Sequence, residues 1–332
     1  NTLNKTGFGG MGTSQVKTEI TNSAPMSVFV LSKESIVVVM YNGQISQILR
    51  QQNTQQIRSI NCDQKIICAA MKEKSDLILL GTTKGLYQLD ISGETAKMIK
   101  VINYDNMVLK IVEYGRYFLI SLFDLSSTKH MKYLNQQSDQ PILYSIVLYD
   151  PVKQTVLDEI QDLACCGQFD INDDKLLIPT LSTSLKLQTY EIQYEKFKFQ
   201  SSETFPLQPV AISLFTAKFI GFESNYLFYY IGTGVNAQSR LNCHCKIDGG
   251  SLLGFQNGQI VFIDDECSES YLVWTAKKEI CTLSINANSI CIGLGSLQNL
   301  EQSGELLQTE LSHTGQFGNQ QGPKIYKFAG LQ

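Results

Sequence analysis

Residues 66–70 read IICAA, and residues 77–90 read LILLGTTKGLYQLD. This stretch consists of an apolar segment, a second apolar run, a polar turn that contains Lys84-Gly85, and a third run that alternates in polarity. Glycine adopts a positive φ at no steric cost, so a Lys-Gly pair between two such runs is a hairpin signal. The stretch therefore predicts one strand followed by a β-hairpin.

The same pattern of an apolar run, a polar turn and an alternating run recurs through the whole chain. Seven such hairpins begin at residues 36, 77, 117, 175, 218, 251 and 289. Further apolar segments precede or follow most of them, which gives about four strands for every 40 residues or so, the arithmetic of a β-propeller blade. The preceding segments are 27–31, 66–71, 108–112, 210–215 and 279–285, and the following segments are 96–102, 156–160 and 271–274.

The repeat predicts an all-β fold, a seven-bladed β-propeller of four-stranded antiparallel blades. The rival is a pair of β-sandwiches of about 160 residues each. A pair of sandwiches needs no regular period across its boundary, and no linker divides the chain there. An α/β fold is excluded because the segments between the strands are too short or too polar for crossover helices.

The repeat also predicts the domain organisation. Residues 1–13 form a flexible, glycine-rich leader, and residues 14–332 form a single propeller domain. Two insertions lengthen blades three and seven, at residues 124–141 and 295–323, and we interpret the second as a tolerated polar loop. The alternating segment 14–20 is predicted to close the ring as the missing outer strand of the last blade, by pairing near residues 324–328.

Composition excludes several classes of function. The chain has 332 residues, of which 43% are hydrophobic and 17% charged, with a net charge of −4. This balance is typical of a folded domain rather than a disordered chain or a coiled coil, and it provides no basic field for nucleic acid. No apolar run approaches the roughly 20 residues of a membrane span. Because the chain starts with Asn1, we expect a processed chain or a piece of a longer protein.

The cysteines and the titratable residues predict no metal, no cofactor and no catalytic site. Nine cysteines, most of them within apolar runs, are typical of free buried thiols in the cytoplasm. Cys243-His244-Cys245 lacks the spacing and the second pair of a zinc site, and on a strand His244 would face away from both cysteines. None of the motifs of hydrolases, zinc proteases or nucleotide-binding loops is present.

The stretch 66–90 resembles the opening of the citron-homology (CNH) domain, in which a similar apolar strand precedes a Leu-Leu-Gly-Thr-x-x-Gly-Leu hairpin. Segments 108–113 and 219–222 match more weakly, and the chain is otherwise similar to WD-repeat-like propellers only in spacing, because no Trp-Asp pair ends a blade. The resemblance implies a seven-bladed interaction module. It also implies partners such as a small GTPase or other regulator in membrane tethering or signalling, and the family has no catalytic residues to carry over.

The sequence thus predicts a cytoplasmic, non-catalytic scaffold domain that binds protein partners, a small GTPase or sister subunits of a complex. Two alternatives remain open. One is an architectural subunit of a large coat, ciliary or pore complex, and the other is an enzyme that uses the central channel. Three or more titratable side chains converging in the channel would favour the enzyme.

Overall fold

The structure is a computed structural model, and it is all-β wherever it describes the chain. The described residues are 17–51, 54–72, 75–93, 95–102, 106–124, 144–163, 169–172, 174–181, 185–205, 211–215, 219–224, 227–229, 239–264, 270–313 and 326–328. The predicted leader at 1–13 and most of the predicted insertion at 124–141 lie outside these residues.

Among the described residues, the strands form seven antiparallel sheets, which we number in chain order. Sheet 1 contains β2 (Pro25–Val30), β3 (Ser35–Met40), β4 (Gln44–Gln51) and β5 (Thr54–Asn61), and sheet 2 contains β6 (Ile66–Met71), β7 (Leu77–Thr82), β8 (Gly85–Asp90) and β9 (Lys97–Ile102). Sheet 3 contains β10 (Asn106–Tyr114), β11 (Tyr117–Asp124), β12 (Tyr144–Asp150) and β13 (Thr155–Leu163). Sheet 4 contains β14 (Asp170–Asn172), β15 (Lys175–Leu181), β16 (Leu185–Gln193) and β17 (Lys196–Phe205). Sheets 5 to 7 contain β18 (Ala211–Phe215), β19 (Phe219–Ser224) and β20 (Leu227–Tyr229); β21 (Leu241–Ile247), β22 (Gly250–Phe255), β23 (Gln259–Asp264) and β24 (Ser270–Thr275); and β25 (Glu279–Asn286), β26 (Ser289–Gly295), β27 (Gly304–His313), β28 (Tyr326–Phe328) and β1 (Lys17–Thr21).

Sheets 6, 7, 1, 2, 3 and 4 pack face to face in that order. The first strand of one sheet lies against the first strands of its neighbours, so that β2 contacts both β6 and β25. Apolar clusters fill the spaces between sheets 1 and 2, 2 and 3, 3 and 4, 6 and 7, and 7 and 1. This radial arrangement of meandering sheets is a β-propeller, which confirms the predicted architecture.

The second strand of each well-described sheet carries the strongest sequence signal because it is covered on both faces. All six residues of β22 and all seven of β26 are buried. Such strands have neighbouring sheets on either side, so they appear in the sequence as continuous apolar runs rather than as alternating ones. The outer strand β5 is the opposite case, since most of its residues are exposed.

A repeated turn shows that the periodicity extends to atomic detail. In sheet 1, Gly43 has φ +92° and its carbonyl accepts a 2.8 Å hydrogen bond from the Cys62 amide. In sheet 6, Gly258 has φ +83° and bonds the Ala276 amide at the same distance. A Cβ on either glycine would lie 2.4 Å from a backbone oxygen, so both the positive φ and the close approach require glycine.

The predicted count of seven four-stranded blades is not confirmed. Among the described residues, six sheets have four or more strands, and sheet 5 has three. The hairpin predicted from residue 218 is present as β19 and β20, but the description of this sheet is interrupted at 216–218, 225–226 and from 230 onward. The prediction therefore holds for six blades.

The interpretation of residues 295–323 as a polar loop is wrong for a large part of that segment. Residues 304–313 form β27, which takes the place in the last sheet that we had predicted for residues 324–328. The buried Gln308 of β27 is partly accommodated by hydrogen bonds, since its amide nitrogen donates to Ser289 Oγ and to the Lys33 carbonyl, both at 3.1 Å, while its Oε1 atom has no hydrogen-bond partner. Residues 326–328 form only the short β28, which pairs with the end of β27.

The predicted partner of the N-terminal strand is wrong for the same reason. β1 pairs with β27, in a register from Lys17 opposite Gln308 to Thr21 opposite Gly304, and not with residues 324–328. Residues 14–16 lie outside the described chain. The Glu19 carboxylate of β1 also forms an ion pair with Arg50 of sheet 1 and accepts a 3.1 Å hydrogen bond from Gln55.

Candidate functional site

The segment Cys243-His244-Cys245 lies on β21, the innermost strand of sheet 6. Cys243 and Cys245 pack against the apolar cluster between sheets 6 and 7, whereas the His244 side chain is open to solvent. Within the described part of the chain, no group of three or more histidine, cysteine or acidic residues has the arrangement of a metal site. In that same part, no helix has the length and apolarity needed to cross a membrane.

Three titratable side chains lie on the innermost strands of their sheets, Lys110 on β10, Asp170 on β14 and His244 on β21. Lys110 and His244 belong to sheets that are not neighbours, and Lys110 nevertheless contributes to the lowering of the pKa of His244. Lys110 also acts on Asp170 of the innermost strand β14. His244 is accessible to solvent, but the surrounding protein reduces the hydration of its ring, and this desolvation lowers the pKa of His244 to about 4. Desolvation also raises the pKa of Asp170, although Lys110 opposes this.

His244 does not have the properties of a general base at neutral pH. A catalytic base functions best when its pKa lies near the working pH, and the imidazole of His244 is neutral and weakly basic there. The Lys110 ammonium donates a 2.6 Å hydrogen bond to the Phe169 carbonyl and lies 5.1 Å from the centre of the Phe169 ring. Lys110 thereby links sheets 3 and 4 at the channel wall.

A second group of residues forms a shallow, open groove of about 520 Å³ where sheets 3 and 4 meet, and we call it the Tyr–Arg groove. Its lining comes from the β10–β11 turn and from the β16–β17 turn with the strand end before it: Tyr114, Arg116, Tyr117, Ile192, Tyr194 and Glu195. Tyr and Arg are the residue types most enriched among the energetic centres of protein interfaces. The Tyr194 side chain is 98% exposed, which is unusual for so large an aromatic group.

The turn that presents Tyr194 is held in an unfavourable backbone conformation. Tyr194 and Glu195 have φ of +50° and +63°, and the flanking residues Gln193 and Lys196 are paired in the ladder. A two-residue hairpin turn with both residues in the left-handed region normally contains Asn and Gly. Each ordinary L-residue in this region costs about 1–2 kcal/mol, so the turn retains Tyr and Glu against a local preference.

Glu195 organises the floor of the groove. One of its carboxylate oxygens accepts hydrogen bonds from the Tyr117 hydroxyl at 2.6 Å and from the Arg116 guanidinium at 2.5 Å. The Lys153 ammonium lies 3.8 Å from the same oxygen, and the Arg116 guanidinium stacks 4.7 Å from the centre of the Tyr117 ring. The hydrogen bond from Tyr117 and then that from Arg116 lower the pKa of Glu195, so this carboxylate is charged at neutral pH.

A hydrogen bond between Tyr114 and Asp174 holds the other wall of the groove. The Tyr114 hydroxyl donates a 2.7 Å hydrogen bond to Asp174, which lies in the β14–β15 turn of sheet 4. Burial, together with this bond, raises the pKa of Tyr114 to about 12, so the phenol is a neutral donor at neutral pH. Because Tyr114 and Tyr117 each bond across to sheet 4, the two sheets hold the groove in one shape.

The sequence predicted no protein-binding residues, and it contains little signal for this groove. The residues that meet in it come from turns about 80 positions apart, and only the register of two hairpins brings them together. Tyr194-Glu195 between two alternating runs indicates a turn, but it does not indicate what that turn faces.

The fold is shared with known propellers, although no family is identified. The chain is similar to the WD40 β-propeller domain of Doa1, with 11% identity and a TM-score of 0.59 over 90% of this chain and 97% of that chain. It is similar to the computationally designed Ika8 protein (12% identity, TM-score 0.54, 89% and 99% covered) and to the C-terminal WD40 domain of Sif2 (11%, 0.52, 90% and 99%). No protein-family model and no curated protein sequence matches the chain. The citron-homology resemblance therefore stays a prediction.

Proposed function

We propose that this chain is a non-catalytic interaction scaffold that binds a protein partner through the Tyr–Arg groove. The proposal rests on Tyr194, an almost fully exposed aromatic side chain on a turn whose positive φ angles are unfavourable for Tyr and Glu. Backbone strain of this kind clusters at functional sites, and an exposed Tyr beside an Arg is a typical interface anchor. The WD40-type neighbours support a scaffold role at the level of the fold.

The experiment is a selection of short random peptides against the whole chain, followed by binding measurements on each enriched peptide. Tyr194→Ser is expected to weaken these peptides by about tenfold or more, since interface anchors contribute about 2 kcal/mol or more. Leu272→Ser is the matched control, because Leu272 is also a large exposed apolar residue but lies on β24 of sheet 6. Peptides that bind Tyr194→Ser as well as the unaltered chain would refute the groove as the binding site.

We further propose that the chain is cytoplasmic and that its channel is not catalytic. The six cysteines described are free thiols, as is typical of the cytoplasm. Neutral His244 and the structural bond of Lys110 to sheet 4 favour a packing role for the channel residues over acid–base chemistry. A small GTPase partner and the architectural-subunit alternative stay predictions.

We also propose that sheet 5 is a seventh blade and that β1 closes the ring. The pairing of β1 with β27 makes the N-terminal strand the outer strand of the last sheet, opposite the innermost strand β25. Glu19 of β1 also forms an ion pair with Arg50 of sheet 1. β1 is therefore held to β27 within the last sheet and to Arg50 of the first sheet. Closure of this kind removes exposed strand edges and couples the first blade to the last.

A further inference from the structure

Around the Tyr–Arg groove the positively charged groups are exposed, and the carboxylates that pair with them lie below, an arrangement that we call layered. Four ion pairs join three cations to three carboxylates in or beside it, and in each pair the cation is more exposed than the anion. The side-chain exposures are 63% against 34% for Arg116–Glu195, 55% against 6% for Lys153–Asp150, and 67% against 22% for Lys196–Asp158. A partner that approaches this surface therefore meets ammonium and guanidinium groups first.

The carboxylates below are already satisfied by groups of the chain itself. Glu195 accepts from Tyr117 and Arg116, Asp150 accepts from the amides of Val152 and Lys153, and Asp158 accepts from the amide of Phe197. Their hydrogen-bonding capacity is directed inward, whereas the exposed cations can donate further bonds outward. Within these three cations and three carboxylates the formal charge is balanced, and the more accessible charge is positive. The exposed Asp174 adds one carboxylate at the other wall, where it accepts a hydrogen bond from Tyr114.

Two other ion pairs among the described residues lack this layering. In Lys65–Glu301 the two side chains are 52% and 57% exposed, and in Lys278–Glu305 they are 38% and 35% exposed. A partner meets both signs of charge equally at those pairs. The Lys33–Glu310 pair is intermediate, with side chains 67% and 47% exposed, so the difference in exposure is larger at the junction of sheets 3 and 4 than at these pairs.

We infer that the partner segment recognised by the Tyr–Arg groove is acidic, with carboxylates that contact Arg116, Lys153 and Lys196 and an apolar or aromatic side chain that packs against Tyr194. This inference rests on the proposed function and adds the chemical class of the partner. Charge complementarity of this kind steers association and selects among partners more than it adds affinity.

The test uses three peptide libraries that share one central aromatic residue and differ only in their flanks, which are acidic, basic or uncharged. We expect enrichment of the acidic library on the whole chain. The enriched peptides should bind Lys153→Gln/Lys196→Gln more weakly by about threefold to tenfold at low salt, and the difference should shrink at high salt. Lys65→Gln is the matched control, and it should leave binding unchanged.

Each other outcome refutes a separate step. Basic or uncharged peptides that lose binding in Tyr194→Ser would overturn the acidic partner and leave the groove as a protein-binding site. Peptides of any library that bind Tyr194→Ser as tightly as the unaltered chain would overturn the proposed function itself. A single-stranded oligonucleotide that displaces the acidic peptides and binds more tightly would overturn a protein partner in favour of nucleic acid.

Discussion

The ion pair between Glu19 and Arg50 provides the sharpest test of how the N-terminal strand is fastened. Glu19 lies on β1 in the last sheet and Arg50 on β4 in the first, and their side chains are only 20% and 10% exposed. The change is Glu19→Gln, which keeps the shape of the side chain and removes its charge. Arg50 then stays largely buried without its counter-ion, while one of its guanidinium nitrogens already lacks a partner.

The expected loss follows from this burial. Removing one partner of a fully buried pair costs about 3–5 kcal/mol, and the partial exposure of Glu19 reduces our expectation to about 2–4 kcal/mol. The control is Glu301→Gln at the Lys65–Glu301 pair, where both side chains are more than half exposed. A pair of that kind contributes about 0–1 kcal/mol.

The assay is equilibrium urea unfolding of the two variants and the unaltered chain, together with hydrogen exchange at β27. Glu19→Gln should lower the free energy of unfolding more than Glu301→Gln does, and it should speed exchange at 304–308, where β27 pairs with β1. The double variant Glu19→Gln/Arg50→Met should recover part of the loss, because the buried charge is gone. Equal effects of Glu19→Gln and Glu301→Gln would refute the reasoning.

Three further predictions concern the turns and the channel. Gly43→Ala should destabilise the chain by about 2–4 kcal/mol, because Gly43 has a positive φ and the added methyl group would clash with the Cys62 carbonyl. Gly115 also has a positive φ but has open space around it, so Gly115→Ala should cost only about 1 kcal/mol. Equal midpoints of urea unfolding for the two variants would contradict this. Tyr194→Asn should stabilise the chain by about 0.5–1 kcal/mol in thermal unfolding and weaken peptide binding, and a stability loss would argue against strain at that turn. The pKa of His244 is about 4 in the folded chain and about 6.5 in the unfolded chain, so the unfolded chain binds a proton on this imidazole more readily. The free energy of unfolding should therefore fall as the pH drops from about 6.5 toward 4, and it should fall less in His244→Gln. An imidazole of His244 that titrates near 6.5 by NMR would contradict this.

The strands that could be predicted are those whose burial leaves a pattern. β3, β7, β22 and β26 lie between neighbouring sheets and appear as continuous apolar runs, and the turn glycines mark where the hairpins reverse. The outer strands β5 and β17 were missed because they pack on one side only. β17 reads KFKFQSSETF and alternates in polarity only over its first four residues. Residues 198–204 are exposed, so no buried face requires the alternation to continue.

The error at β27 has a different cause. We interpreted 295–323 from its Gln, Asn, Ser and Gly content, and composition does not show whether a polar side chain finds partners inside the fold. Gln308 and Thr309 are buried in β27, and Gln308 bonds to groups on β26 and in the β2–β3 turn. A buried polar residue with hydrogen-bond partners is stable, but those partners are distant in sequence.

The groove could not be predicted because its shape depends on bonds between sheets, and those bonds also explain why it suits binding. Tyr117 and Arg116 are held by Glu195, and Tyr114 is held by Asp174, so these side chains lose little freedom when a partner arrives. Tyr194 is the exception, since it projects freely from a backbone that is itself fixed by the β16–β17 ladder. A partner therefore has Tyr194 and the exposed ends of Lys153 and Lys196 to order, and the strain at the β16–β17 turn is the structural cost of placing Tyr194 there.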